Sequence, residues 1–282
     1  MKFVSCLKSV YWCLPFLFLS FGTASAASEE PLPPDLEACK YNLTFLEDFS
    51  DFQVAPWTIG PARWTAHTPW HGDFGSATFI DPGKNDPFSV SDGVLNITAR
   101  KQADGRWTSG LIAAADGTGR GFGARYGYFE ARMKFPRGPG TWPAFWLTSL
   151  KPASDTSPSV EIDVIEYYGH ATASYQSALH VWYVGDDKEK STHTLHRVHV
   201  PKNSLVDAYH NYGVDIRPDT ITYYFDRKPV WQQPTPAELV WPSYPLVNLA
   251  LGSGFPITKT PNPSTLKVKF VRVLTYDPNK KC

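Results

Sequence analysis

Short runs of alternating apolar and polar residues, separated by turn-forming clusters, recur along this 282-residue chain. The clearest run is residues 126–135, and others lie at 94–100, 212–216 and 221–225. A period of two indicates strands with one buried face, and the Gly-, Pro- and Asp-rich clusters between them indicate turns. No long amphipathic helical pattern competes with this one. The sequence therefore predicts an all-β domain in which two antiparallel sheets form a sandwich or jelly roll.

The first 26 residues have the pattern of an export signal. Lys2 and Lys8 precede an apolar stretch at 10–21, and small residues occupy 24–26. The apolar stretch is shorter than the roughly 20 residues that span a bilayer. The pattern predicts a signal peptide at 1–26 followed by one exported, soluble domain at 27–282, in the periplasm or outside the cell. An uncleaved anchor is the alternative.

Charge and composition restrict the partners. The chain carries 27 basic and 27 acidic residues, without a basic stripe for nucleic acid or a polybasic segment for anionic lipid. Aromatic residues make up 15% of the chain, with 10 Trp, against 19% charged residues. No linker or internal repeat divides the mature segment, which indicates a single domain. We expect a monomer, and the balanced charge predicts that it contacts neither nucleic acid nor membrane.

Removal of residues 1–26 leaves two cysteines, Cys39 and Cys282, near the two ends of the domain. In an oxidising compartment they could form a disulfide, or they could remain free thiols. Without a third Cys or a nearby His cluster, metal binding or thiol catalysis is not expected. The sequence does not decide between the disulfide and the free thiols.

Residues 159–168 place three acids, Glu161, Asp163 and Glu166, in a β-branched run typical of a buried strand. Carboxylates in such a strand must be paired, exposed to a cleft or used chemically. Strict alternation puts Glu161 and Asp163 on one face and Glu166 on the apolar face. A β-bulge at residues 164–165 would return Glu166 to the face of the other two acids, so the sequence predicts a bulge there.

Three carboxylates on one strand face fit glycoside hydrolysis by double displacement. That reaction needs an ionised nucleophile and a protonated acid about 5–5.5 Å apart. The central Asp163 could orient Glu161 and disfavour ionisation of its neighbours. Calcium binding and a merely solvated acidic strand are the alternatives, although the Gly-bearing loop that usually wraps calcium is missing.

Aromatic residues flank the acidic strand on both sides. Trp142 and Trp146 lie upstream, and His180 and Trp182 lie downstream, two apart and therefore on one strand face. Indole rings can stack on the apolar faces of sugars and donate a hydrogen bond through their N–H. Each Trp taken alone could equally be a core residue.

Several segments resemble glycoside hydrolase family 16. The stretch 160–166 is similar to its Glu-x-Asp-x-x-Glu signature in the bulged form. Other matching segments follow in the expected order over nearly the whole mature chain: 126–134, 140–146, 247–252 and 268–273. The segment 128–147 looks most like bacterial enzymes that cut β-1,3/1,4-glucans or glucan-rich exopolysaccharides.

The resemblance implies a β-jelly-roll whose concave sheet forms an open cleft for a β-linked polysaccharide. Glu161 would be the nucleophile, Glu166 the general acid/base and Asp163 an assisting carboxylate. It further implies that seven residues line the cleft: Trp142, Trp146, His180, Trp182, Glu130, Arg132 and Asn248. The alternation at 126–135 gives Glu130 and Arg132 a plainer interpretation, that of an ordinary solvated sheet face.

One position departs from the family pattern. Lys269 stands where many members carry an Asp that helps to hold a structural calcium, and a protonated lysine cannot ligate a cation. We therefore expect no metal or other cofactor. A Cys39–Cys282 disulfide could stabilise the domain in its place.

Three functions remain compatible with these residues. The leading prediction is a secreted, retaining endo-β-glucanase acting on β-1,3 and/or β-1,4 linkages. A transglycosylase would use identical residues with a sugar acceptor in place of water. A non-catalytic glucan-binding protein would have no need for both Glu161 and Glu166.

Overall fold

A computed structural model describes Ala27, residues 30–83 and residues 86–282. The predicted signal peptide, residues 1–26, lies outside the described residues. None of the helices in these ranges combines the length and apolar character needed to cross a membrane.

Strands are the main regular structure of the described chain, as the alternating pattern predicts. Helical structure is limited to one four-residue turn, α1 (Ser204–Asp207), and the short 3-10 helices Ala38–Lys40 and Gly185–Lys190. The strands are β1 (Tyr41–Glu47), β2 (Val54–Ala55), β3 (Trp64–Thr65), β4 (Thr78–Phe79), β5 (Phe88–Ser91), β6 (Val94–Lys101), β7 (Trp107–Ser109), β8 (Leu111–Ala113), β9 (Gly127–Lys134), β10 (Thr141–Ser149), β11 (Ser159–Glu166), β12 (Ser174–Trp182), β13 (Thr192–His199), β14 (His210–Ile216), β15 (Thr220–Phe225), β16 (Lys228–Pro234), β17 (Ser243–Leu251) and β18 (Ser264–Tyr276).

The strands form two sheets that pack as a sandwich, confirming the predicted all-β jelly roll. Sheet 1 has the order β16-β15-β14-β9-β18-β6-β7-β4, with β1 also paired to β18 and β5 to β6. Sheet 2 has the order β13-β12-β11-β10-β17-β8-β3-β2. Pairing is antiparallel except for two short parallel pairs, β2 with β3 and β4 with β7. Both sheets are therefore mixed rather than purely antiparallel.

The core lies between the inner faces of the two sheets. Sheet 2 contributes Phe145 and Ile162, and sheet 1 contributes Phe129, Met133 and Val271, all with no exposed surface. Because alternate side chains leave a strand on opposite faces, these buried residues fix which residues of β10 and β11 point away from the core. The acids of β11 are among the latter.

The outer face of β9 is not the solvated surface that its polar residues suggested. Glu130 is fully buried and forms ion pairs with Arg272 (2.6 Å) and Arg227 (2.9 Å). Arg272 also donates hydrogen bonds to the carbonyl oxygens of Glu30 (2.5 Å) and Pro31 (2.8 Å). The N-terminal segment thus covers this face, and the buried carboxylate is stabilised by two guanidinium groups.

The two ends of the domain are covalently joined. Cys39 and Cys282 form a disulfide with Cα atoms 5.6 Å apart. Their proximity follows from the pairing of β1 with β18, in which Tyr41 lies opposite Tyr276. The sequence left open whether these cysteines form a disulfide or remain free thiols, and the structure has the disulfide.

Lys269 does not lie in a calcium-binding environment. Its ammonium group lies 4.7 Å from the ring centroid of Tyr209, and that of Lys134 lies 5.3 Å from the same ring. Two cations beside one aromatic ring suit cation–π contact and oppose the binding of a third cation. This position does not fit a calcium ligand.

We expect Cys282→Ser to lower the free energy of unfolding by about 2–4 kcal/mol, because the disulfide restricts the unfolded chain. For a domain of this size that corresponds to a loss of roughly 2–4 °C in Tm per kcal/mol. Calorimetry of the wild type and Cys282→Ser, with reductant or with a chelator, measures the effect. A wild-type Tm that ignores reductant but falls with chelator would contradict the stabilising role of the disulfide.

Candidate active site

A β-bulge in β11 sets the geometry of the site. Opposite β10, Ile165 pairs with Phe145 while Asp163 pairs with the next residue, Trp146, so Val164 is the extra residue. The register with β12 shifts over the same stretch, between Asp163 and Glu166. The bulge predicted at residues 164–165 is confirmed. Glu161, Asp163 and Glu166 consequently share the outer face of sheet 2.

Each of the two outer acids is held by an indole. Trp182 donates its Nε1–H to Glu161 (3.2 Å), and Trp142 donates its Nε1–H to Glu166 (3.0 Å). The hydroxyl of Tyr168 also donates to Glu166 (3.3 Å). These donors fix the carboxyl groups and favour their ionised forms.

The central acid, Asp163, contacts a histidine rather than a second carboxylate. His180 Nε2 lies 3.1 Å from Asp163 Oδ2, and the His180 ring stacks on Trp182 with centroids 5.0 Å apart. His180 itself lies opposite Glu161 in the β11–β12 pairing. Asp163 and Trp182 are therefore coupled through one imidazole, and Trp182 in turn holds Glu161.

Burial raises the pKa values of all three acids. Loss of hydration, followed by the charge of Asp163, raises the pKa of Glu161 to about 8. Burial, followed by the charge of Glu166, holds the pKa of Asp163 well above its usual range. The pKa of Glu166 is also raised by burial, against the hydrogen bond from Trp142. The free site therefore holds protons at neutral pH rather than three negative charges.

Asp163 is the most deeply buried of the three, with 6% of its surface exposed, and is the best candidate for the retained proton. A neutral Asp163 can donate its hydrogen bond to His180 Nε2. It then no longer repels charge on Glu161, which removes the second cause of the raised Glu161 pKa. Glu161 becomes easier to ionise in that state.

The acids open into a cavity of about 280 Å³ that four aromatic residues help to line. Trp142 and Trp146 line it from β10, and Asn248 lines it from β17. Asn248 is fully buried, accepts a hydrogen bond from Trp146 Nε1 (2.8 Å) and keeps its own Nδ2 without a partner in the described chain. A second hollow of about 330 Å³ continues past Glu161 toward Trp182. Glu161 and Trp70 line both hollows, which gives an elongated cleft.

The wall opposite β11 comes from the segment between β3 and β4. Trp70, 48% exposed, lies 6.0 Å from Trp146 between ring centroids, and Phe74 lies 5.4 Å from Trp142. Gly75 has a φ of +77°, and a Cβ there would collide with the carbonyl oxygen of Leu251. Glycine at 75 thus permits the close approach that holds this segment against β17.

Five of the seven predicted binding residues lie in the cleft. Trp142, Trp146 and Asn248 line the cavity at the acids, and His180 and Trp182 contact Asp163 and Glu161. The prediction for Glu130 and Arg132 was wrong, because β9 belongs to sheet 1. Glu130 is buried on that sheet's outer face, and Arg132 donates to Asn211 on β14 (3.1 Å).

Sequence reasoning missed some residues of the cleft and placed others only loosely. The loop at residues 70–73 is of the kind that sets sugar subsites around a cleft, but its sequence gives Trp70 no position there. Tyr168 could have been found, because it lies two residues after Glu166 and so continues its strand face. Phe74 gives no comparable signal, since its loop contacts β10 only in three dimensions.

The same acids offer a limited metal site. Glu161, Asp163 and His180 each offer one possible ligand atom, and these three atoms lie within 4.8 Å of one another. Calcium takes six to eight oxygen ligands, so two carboxylates and an imidazole do not suit it. Glu161 is also already engaged by Trp182.

A jelly-roll sandwich that displays paired, proton-holding carboxyl groups in a tryptophan-lined cleft is typical of enzymes that act on polysaccharides. The sequence model of glycosyl hydrolases family 16 matches residues 81–270. The chain belongs to this family, and its domain is a glycoside hydrolase domain.

Individual relatives agree with the family assignment. The chain is 31% identical over 258 residues to endo-1,3-1,4-beta-glycanase EglC of Rhizobium meliloti (strain 1021), covering 83% of this chain and 52% of the relative. It is 26% identical over 276 residues to glucan endo-1,3-beta-glucosidase A1 of Niallia circulans, covering 86% and 39%. The chain thus spans about half of the length of the first of these curated relatives and 39% of the second.

Solved structures share the fold. The laminarinase catalytic domain from Thermotoga maritima MSB8 superposes with a TM-score of 0.65 at 22% identity, covering 85% of this chain and 100% of that one. The kappa-carrageenase from Pseudoalteromonas carrageenovora, in complex with an oligosaccharide, gives 0.65 at 20% identity, covering 88% and 100%.

The raised pKa of Glu161 predicts a pH-dependent stability. A carboxyl whose folded pKa (about 8) exceeds its unfolded value stabilises the fold below the unfolded pKa, and this contribution is lost as the pH rises toward 8. Glu161→Gln should therefore gain stability relative to the wild type between about pH 4.5 and 8, by up to about 1.4 kcal/mol per pH unit.

Urea unfolding of both proteins at pH 4, 6 and 8 measures this difference. Glu189→Gln, which removes an exposed negative charge from the Gly185–Lys190 turn, tests whether loss of any one acid has the same effect. A stability difference between Glu161→Gln and wild type that stays constant from pH 4 to 8 would refute the raised pKa.

Proposed function

We propose that this protein is a secreted, retaining endo-glycosidase that cleaves internal β-1,3 and/or β-1,4 linkages of a β-glucan or glucan-rich exopolysaccharide. The observation that carries the proposal is the bulge in β11, which places Glu161 and Glu166 on one face of the cleft. A glucan-binding protein without catalysis would not need two acids held in this manner. Membership of family 16 supports hydrolysis of glycosidic bonds.

Glu161 acts as the nucleophile. Its ionisation is favoured once Asp163 carries the shared proton, and Trp182 donates a hydrogen bond to one of its two oxygens, Oε2. Attack on the anomeric carbon forms a covalent glycosyl-enzyme and inverts the configuration once. Inversion in the second step restores it, so the product retains the β configuration.

Glu166 acts as the acid and then as the base. Burial raises the pKa of Glu166 and so favours the protonated form, which can protonate the departing glycosidic oxygen. Glu166 is left ionised, stabilised by Trp142 and Tyr168, and then removes a proton from the incoming water. The aromatic donors therefore match the charge that Glu166 acquires during the first step.

The cleft supports an internal rather than a terminal site of cleavage. Its two hollows extend on both sides of Glu161, between Trp70 on one wall and Trp142 or Trp182 on the other. Large exposed rings at both ends, Trp182 (41%) and Phe255 (44%), can stack on successive sugars. Relatives named as endo-1,3-1,4-beta-glycanase and glucan endo-1,3-beta-glucosidase support β-glucan as the backbone.

Two variants separate the roles of the acids. Glu166→Ala should lower turnover of β-glucan by about 10²- to 10⁴-fold, because the leaving oxygen is no longer protonated. It should still form the glycosyl-enzyme from an aryl β-glycoside with a good leaving group, and azide should then give the β-glycosyl azide. Glu161→Ala should give the α-glycosyl azide, because azide attacks directly from the nucleophile's side.

Reducing-end release and NMR of the azide products read both outcomes, with Glu189→Ala as a control that alters an exposed acid outside the cleft. Products longer than the substrate would identify a transglycosylase that uses the same residues. Unchanged glucan hydrolysis by either Glu161→Ala or Glu166→Ala would refute the proposed function.

A further inference from the structure

The outer face of sheet 2 does not end at the catalytic strand but continues over β12 onto β13. In register, Glu166 lies opposite Gln176, and Gln176 lies opposite Arg197. A parallel row runs from Asp163 through Ala178 to Leu195. Directly opposed residues of antiparallel strands project from the same face, so Leu195 and Arg197 lie on the face of the acids.

Ring contacts support this orientation. His193, opposite His180 on β12, stacks with it at a centroid distance of 6.1 Å. On the other face of β13, His196 stacks with Trp231 of sheet 1 at 5.5 Å, and Val198 is buried. The residues with odd numbers therefore face the cleft side. We call this set the β13 row: His193, Leu195, Arg197 and His199.

The β13 row lies beyond the sugar at the cleaved bond. Adjacent strands are about 4.8 Å apart, so β13 lies about 10 Å from β11. A polysaccharide crossing the strands would reach β13 with a sugar or substituent distant from the reacting one. All four members of the row are exposed, and Leu195 leaves 55% of its surface open.

Arg197 is the strongest feature of the row. No acid among the described residues forms an ion pair with it, and its guanidinium donates no side-chain hydrogen bond to any of them. Upstream, Asp186, Asp187 and Glu189 lie in the turn at the opposite end of β13, where Asp187 is paired with Lys190 (2.7 Å). Downstream, Asp207 of α1 is paired with Arg137. The Arg197 end of the row is therefore free to bind an anion.

We propose that the β13 row determines specificity for a β-glucan that carries anionic substituents, with Arg197 binding a carboxylate or sulfate group of the substrate. This inference rests on the proposed function and adds the substrate class. The planar guanidinium donates two parallel hydrogen bonds to either anion, and Leu195 packs on the apolar face of the sugar that carries it.

The position of Arg197 suits the charge of the site. The carboxylate that Glu161 presents for attack repels an anionic group placed on the reacting sugar, and that repulsion is strongest where the surroundings are dry. Two strands away, Arg197 is exposed and holds the opposite charge. Substituted sugars are thus favoured away from the cleaved bond and disfavoured at it.

The test compares one β-1,3/1,4-glucan in three forms: unmodified, partly carboxymethylated and partly sulfated to the same degree. Arg197→Gln should lower kcat/KM about tenfold or more on an anionic form and leave the unmodified glucan within twofold. Preference for the carboxymethylated or the sulfated form identifies the anion. The loss should shrink near 1 M salt, where the Debye length is about 3 Å.

Lys228→Gln is the matched control, because it removes an exposed cation from β16 at the edge of the other sheet. Arg197→Lys should recover part of the effect, since it restores the charge but not the paired donors. Equal losses on the neutral and anionic glucans, or no loss on either, would overturn the proposal while leaving glucan hydrolysis intact.

Binding separates this proposal from the proposed function. In the Glu161→Gln background, adding Arg197→Gln should weaken binding of an anionic glucan about tenfold and leave the neutral glucan unaffected. If the wild type cleaves none of the three polymers, the hydrolase function is contradicted, and this binding comparison still decides the role of Arg197.

Discussion

The bulge at Val164 in β11 is the constraint on which the site depends. Without it, Glu166 would point into the core among Val160, Ile162 and the inner face of β10, where an unpaired carboxyl group is costly. The extra residue shifts the phase of the strand once and leaves both flanking halves hydrogen-bonded to β10 and β12. A buried, well-packed strand can thus present three acids to one cleft.

The surroundings of β11 then give the three acids different hydrogen-bond partners. Burial raises the pKa values of Glu161, Asp163 and Glu166, so the site retains protons at neutral pH. Trp182 and Trp142 donate to the two outer acids, while Asp163 contacts His180. In the mechanism that we propose, these donors lie where negative charge develops, and they are held by strands rather than by loops.

Local patterns in the sequence predicted local geometry well. Alternation identified β9, β14 and β15, and the phase of Glu166 required the bulge that the structure contains. His180 and Trp182 share a strand face, as their spacing of two requires, whereas the expectation that Trp142 and Trp146 line the cleft came from the resemblance to family 16. These inferences need no knowledge of distant contacts.

The errors and gaps come from contacts between distant parts of the chain. Alternation shows that Glu130 lies opposite the core, but not that residues 30–31 and Arg272 cover it. The disulfide depends on the pairing of β1 with β18, and Phe74 reaches the cleft because Gly75 allows its segment to approach β17. None of these contacts leaves a periodic signal in the sequence.

Trapping the covalent intermediate tests the central claim most directly. A 2-deoxy-2-fluoro glucoside with a good leaving group slows breakdown of the glycosyl-enzyme, because fluorine destabilises the oxocarbenium-like transition state. Mass spectrometry of the digested protein should find one label, on Glu161, and prior Glu161→Gln substitution should abolish it. A label on Glu166 or Asp163, or turnover of glucan without any labelled peptide, would contradict the account.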